Sequence, residues 1–216
     1  MPQVSLSEWI DGIQHGHLAS FPTDTVPALA ARPEAGDRIF SFKQRPPEKP
    51  LILMAANWSD LLPYVVGSSA EQASWQQLTQ AHWPGQLTLV LPASDRLPLA
   101  INPNQTGTVG IRIPNHSVAL ALLKATGALA TTSVNRSGQP ALIAQADIEA
   151  QFPELLTLAP AAQAKLGQSA ESGGASGTSF EISSGISSGV PSTVVKWHRE
   201  TGWQVLRQGA VTIEPD

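Results

Sequence analysis

Apolar positions along this chain fall in short groups whose spacing alternates between helical and extended. Ser5-Leu6-Ser7-Glu8 has the layout of a capping box, a Ser three residues before a Glu. Trp9, Ile10 and Ile13 then share one helical face, and Gly16 is placed to close that helix. Leu18 to Phe21 reads as a short buried strand, stopped by Pro22. Asp37 to Phe42 reads as a short helix, broken by Pro46-Pro47. Leu51 to Ala55 is an apolar run suited to a central strand. The spacing predicts a helix over Ala70 to Ala81, a turn at Trp83-Pro84-Gly85 and an alternating strand over Gln86 to Leu91.

The second half repeats the alternation. Thr108 to Ile113 is a strand, Val118 to Ala125 a helix stopped by Gly127, and Leu129 to Thr132 a strand running into the Ser133-to-Gly138 loop. A helix is predicted over Gln145 to Phe152, and a final strand pair over Thr193 to Trp197 and Trp203 to Leu206. Between Gln168 and Gly189 the chain is rich in Ser and Gly, so residues 168–189 read as a flexible loop. The elements together predict an α/β fold in one domain over residues 1–216, built on a mixed sheet.

Composition narrows the chemistry. Only 14% of the 216 residues are charged and the net charge is -4, so no general basic field recruits nucleic acid. The chain has no cysteine, which excludes disulfides, thiolate metal sites and cysteine nucleophiles. The N-terminus lacks a basic-then-apolar signal layout, and no run approaches the ~18 apolar residues that cross a bilayer. A cytoplasmic protein with no membrane partner is the expectation. There is no P-loop, no Gly-x-Ser-x-Gly and no His-Glu-x-x-His. The histidines form no spaced metal cluster, so any metal is expected to be Mg²⁺ arriving with a nucleotide.

Five segments carry the candidate chemistry. Arg38, Lys43, Arg45 and Lys49 place four of the thirteen basic residues within one short stretch, which suits an anionic ligand or, plainly, a solvated basic face. Thr23, Asp24 and Thr25 follow a strand end, where open α/β sheets place ligands, although the same residues favour ordinary turns. Thr108 and Arg112 lie four apart on a strand and so face one side. Ser133, Asn135, Ser137 and Gly138 form a polar loop able to cradle an anion or simply to turn. Ser192 and Thr193 open a late strand, and Arg207-Gln208-Gly209 closes the next.

Taken in order, these segments resemble the YrdC-like family of threonylcarbamoyl-AMP synthases. The resemblance rests on seven motifs spread over nearly the whole chain: Pro22 to Thr25, Lys43-x-Arg45 with Pro50-Leu51, Trp83 to Thr88, the strand ending at Arg112, Ser133 to Gly138, Ser192 to Val195, and Leu206 to Gly209. It implies one twisted domain with flanking helices and a concave, locally basic cleft. It also implies synthesis of threonylcarbamoyl-adenylate and pyrophosphate from L-threonine, bicarbonate or CO₂, and ATP. That product feeds the threonylcarbamoyl modification of adenosine 37 in tRNA, with tRNA-threonylcarbamoyl transferase proteins as partners.

By the resemblance, Lys43 and Arg45 carry the catalytic role and bind the ATP phosphates, with Lys49, Thr108, Ser133, Asn135 and Arg207 around the nucleotide. Thr25, Arg112, Thr131 and Ser192 match the threonine pocket. The chain departs from the pattern at Pro27-Ala28, where Tyr-Gly is usual, and at Met54 and Ala141. A second reading of the same residues is a divergent paralogue that binds double-stranded RNA or nucleotides without this activity.

Overall fold

The computed structural model describes residues 3–171 and 187–213. In chain order these form β1 (Gln3–Val4), α1 (Leu6–Gln14), β2 (Ala19–Phe21), β3 (Ala28–Ala31), α2 (Gly36–Lys43), β4 (Ile52–Met54), α3 (Trp58–Leu61) and α4 (Ser69–His82). There follow β5 (Leu87–Pro92), β6 (Thr108–Arg112), α5 (Ser117–Thr126), β7 (Leu129–Ser133), α6 (Gln145–Gln151), β8 (Thr157–Leu158), α7 (Pro160–Glu171), β9 (Thr193–His198) and β10 (Gly202–Arg207). Eight strands make one mixed sheet in the order β10-β9-β5-β6-β4-β7-β3-β2, and β1 pairs with β8 apart from it. The β4–β6 and β5–β9 pairs are parallel and the other pairs of the large sheet antiparallel. Among the described residues no helix is long and apolar enough to cross a membrane.

The predicted elements form close to their expected bounds. Ser5 caps α1 and Glu8 returns the bond to the Ser5 backbone, and Ser68 and Glu71 do the same for α4. Five elements were not predicted: β1, β3, α3, β8 and α7. β3 reads Ala-Leu-Ala-Ala, which has little strand propensity, yet every residue is buried. It exists because β2 and β7 pair with both its edges.

The pleat divides the sheet into two faces. Leu87, Leu89 and Leu91 of β5, Val109 and Ile111 of β6, and Leu53 of β4 join a core that includes Trp9, Ile13, Ile39, Trp75, Val118, Leu122 and Ile148 from the helices. Thr88 and Val90, Ile52 and Met54, and Arg112 alternate with them and line a cavity on the other face. The last hairpin docks through aromatic packing. Trp197 meets Trp75 and Trp203 edge-on, with ring centres 6.5 and 5.1 Å away. Trp197 Nε1 donates to Glu71 Oε1 at 3.1 Å, and Arg199 pairs with the same oxygen. The Glu71 carboxyl is held down at about 2, first by the Ser68 backbone amide and then by Trp197.

The ends of the expected loop, residues 168–171 and 187–189, are ordered into the fold. Gln168 continues α7, and Ser187 to Gly189 are hydrogen-bonded to the Thr23–Thr25 loop. Residues 172–186 lie outside the described residues.

Gly110 stands on the cavity face of β6, where a Cβ would approach Ile52 Cγ2 to 2.6 Å. Gly110→Val is therefore expected to lower stability by about 1–3 kcal/mol in urea unfolding, because Ile52 must leave its place to make room.

Candidate active site

Arg112 ends β6 with its side chain almost wholly buried, and three bonds fix the plane of its guanidinium. Nε donates to Gly85 O at 2.9 Å, Nη1 to Thr25 Oγ1 at 2.8 Å and Nη2 to Asp24 Oδ1 at 2.6 Å. Loss of hydration lowers the Arg112 pKa, while Asp24 opposes that shift and Arg207 nearby adds to it. Thr23 Oγ1 donates to Val26 O and accepts from Thr25 N, so the loop after β2 is internally stiff.

Ser192 lies just before β9, across the cavity. Its hydroxyl shares a 2.9 Å hydrogen bond with Thr88 Oγ1. Its carbonyl accepts from Arg207 Nε at 3.1 Å and from Nη2 at 2.7 Å. Gly209 presses its backbone against this residue: a Cβ there would meet Pro191 O at 2.3 Å. The final Leu-Arg-x-Gly motif thus brings Arg207 over Ser192 and needs a residue without a side chain to do so.

Lys43 and Arg45 part company at Gln44, which sits in the left-handed region at φ 50° and ends α2. Arg45 lines the cavity and donates to the carbonyls of Lys49 and Pro50. Lys43 is buried behind the Ser133 loop. Its Nζ donates to Ser133 O and, at 2.8 Å, to Asn135 Oδ1. Ser133 Oγ donates to the same Asn135 oxygen at 2.6 Å, and Asn135 Nδ2 donates to Arg136 O and Gln139 O.

Burial, and then the charge of Arg45, pull the Lys43 ammonium down to about 7. The folded state therefore holds fewer protons than the unfolded one between about pH 7 and the ordinary lysine value. Burying this ammonium opposes folding below pH 7, and the penalty fades as pH rises through that window.

The cavity holds about 400 Å³. Of the expected site residues, Thr25, Arg45, Arg112, Thr131, Ser133, Asn135, Ser192 and Arg207 all line it. Thr131 Oγ1 is turned to Ile52 O at 3.3 Å. Three expected residues stand off it. Lys43 lies behind the loop. Lys49 is exposed and does not line the cavity. Thr108 starts β6 and shares a hydrogen bond with Thr106 instead. Thr88, Val90 and Gln139 line the cavity without having been singled out as ligand residues; the alternation of Gln86 to Leu91 was the available signal for Thr88. The departures at Pro27, Ala28, Met54 and Ala141 also lie on its wall.

A larger hollow of about 570 Å³ borders β2, α5, α6 and α7, but no Lys or Arg lines it. In the smaller cavity, Arg45 and Arg207 face the ligand space, and neither has an acidic partner among the described residues. Among those residues no group of three His, Cys, Asp or Glu side chains is placed to hold a metal ion. The arrangement brings cations and hydroxyls into one cavity, suited to a ligand that carries anionic and hydroxyl groups.

These features define an α/β protein with a nucleotide-sized anion cleft. Comparison with known proteins agrees. The sequence model of the Sua5/YciO/YrdC family, described as "Telomere recombination", matches residues 11–172, and the chain belongs to that family. A Vibrio cholerae protein named threonylcarbamoyl-AMP synthase is 39% identical over 154 residues, covering 68% of this chain and 80% of the relative. A Vibrio campbellii protein of the same name is 34% identical over 153 residues, with the same coverage. Among solved structures, P. abyssi Sua5 complexed with L-threonine matches 94% of this chain with a TM-score of 0.75 at 29% identity. The chain spans 54% of that protein's length. E. coli YciO shares the fold over 97% of this chain and 91% of its own, with a TM-score of 0.74 at 22% identity. The expected family and the mixed-sheet fold are both supported.

Asp24→Ala is expected to destabilise the protein by about 3–5 kcal/mol, since it leaves a buried guanidinium unpaired. Replacing both partners with apolar residues, as in Asp24→Leu with Arg112→Met, should recover much of that loss. Urea unfolding of the single and double variants measures both.

Proposed function

We propose that the protein is an L-threonylcarbamoyladenylate synthase. It joins L-threonine, bicarbonate or CO₂, and ATP, releases pyrophosphate, and supplies the threonylcarbamoyl modification of tRNA in the cytoplasm. The observation that carries this reading is the pairing, in one cavity, of two unneutralised guanidiniums, Arg45 and Arg207, with the Arg112, Thr25 and Ser192 cluster. Its support outside the cleft is the shared name of the bacterial relatives.

In this reading the threonine carbamate oxygen attacks the α-phosphorus of ATP as the bond to pyrophosphate breaks. The nucleophile is already anionic, so no dedicated base is needed. Alignment and charge neutralisation do the work. Arg45 and Arg207 take the phosphates directly. Lys43 acts from behind, holding the Ser133–Asn135 loop against the nucleotide and adding its charge. Arg112, Thr25, Thr131 and Ser192 hold threonine. Mg²⁺ brought by ATP would be held by the nucleotide rather than by protein side chains, and would supply further neutralisation of the triphosphate. Lys49 and Thr108 do not line the cavity and are given no direct contact in this reading.

Purified protein should release pyrophosphate from ATP only with both L-threonine and bicarbonate present, and the adenylate should appear by mass spectrometry. Arg45→Ala and Lys43→Ala should each lower turnover far more than stability. Turnover independent of threonine would overturn the assignment. Salt-sensitive binding of double-stranded RNA without turnover would favour the paralogue reading.

A bound triphosphate should draw the Lys43 pKa upward from about 7. ATP binding at pH 8 is therefore expected to take up a fraction of a proton, measurable by calorimetry in buffers of different ionisation enthalpy. Lys43→Met should remove that uptake.

A further inference from the structure

Three successive carbonyls of the Thr23–Thr25 loop are held from outside it. Ser187 Oγ donates to Thr23 O at 2.8 Å, and Gly189 N donates to Thr25 O at 2.9 Å. The middle carbonyl, Asp24 O, accepts from Gln86 Nε2 at 2.7 Å, with Ser188 N a distant second donor at 3.5 Å. Gln86 precedes β5, and its own carbonyl accepts from Thr193 N of β9 at 3.0 Å. One residue thus joins β5 and β9 to the loop that holds Arg112.

We infer that Gln86 is a positioning residue for the amino-acid end of the cleft, acting through Asp24 on Arg112. Gln86 does not line the cavity, so it has no direct hold on a ligand there. It fixes the peptide whose carboxylate meets Arg112 Nη2 at 2.6 Å. The guanidinium has five N–H groups, and three are spent on Gly85, Thr25 and Asp24. Only the remaining two can serve a carboxylate, and their direction is whatever those three bonds impose. In the Trp83-to-Thr88 motif, Gln86 occupies the unspecified position.

The inference rests on the proposed reading of Arg112 as the threonine contact. Gln86→Met keeps the length of the side chain and removes the donor. Its threonine KM should rise about threefold to tenfold, the worth of one hydrogen bond, with kcat and the ATP KM unchanged. Hydrogen exchange at the Gly189 amide should quicken while the melting temperature holds. A wild-type threonine KM, or kcat and both KM values moving together, would overturn the inference. If the wild-type protein shows no threonine-dependent turnover, the amino-acid reading itself fails. Gly189 exchange then decides the positioning role alone, and an unchanged rate in Gln86→Met refutes it.

Discussion

An arginine whose charge reaches no water can be kept only if the protein replaces the bonds that water gave up. Arg112 collects those bonds from Gly85, from Thr25 and from Asp24, three positions that the chain brings together only by folding. The loop after β2, the turn before β5 and the end of β6 are thereby held in one arrangement. Ser192 closes the same space through Thr88, with Arg207 folded over its carbonyl. The cleft has its shape because one cation is neutralised within the fold and others are not.

That contrast gives the site its electrostatics. The chain as a whole is acidic, with a net charge of -4. Arg45 and Arg207 nevertheless both line the cavity, and Lys43 stands behind the Ser133 loop with its pKa drawn down to about 7. Cations gathered without counter-charges are unfavourable to one another, and burial depresses Arg45 and Arg207 as well. An incoming polyphosphate relieves that repulsion, so the folded protein carries a standing preference for anions at this point. The neutral hollow beside α7 has no such preference despite its greater volume.

Much of the fold was legible because it follows local rules. Capping boxes at Ser5 and Ser68, a Gly stop after α5 and alternation in β5 and β6 are properties of a few adjacent residues. β3 was not legible, since four small apolar residues become a strand only when β2 and β7 flank them. The candidate site residues were legible as motifs, yet the motifs did not separate those that line the cavity from those that do not. Lys43 and Arg45 are two apart in sequence, and the left-handed turn at Gln44 sends one behind the loop and the other into the cleft.

The sequence by itself determined the alternating elements, the family and the set of polar residues from which a site can be built, because each of these is carried by residue type and short-range spacing. Only the tertiary structure decided which of those residues share a cavity. It paired Asp24 with Arg112 across 88 positions and placed Lys43 against Asn135 across 92. It also left Lys49 and Thr108 off the cavity wall, and it recruited Gln86 to the Asp24 carbonyl. The reason is physical: the direction of a side chain is set by the pleat, the turn and the partners that bury it, and partners so distant in sequence are chosen by packing rather than by spacing.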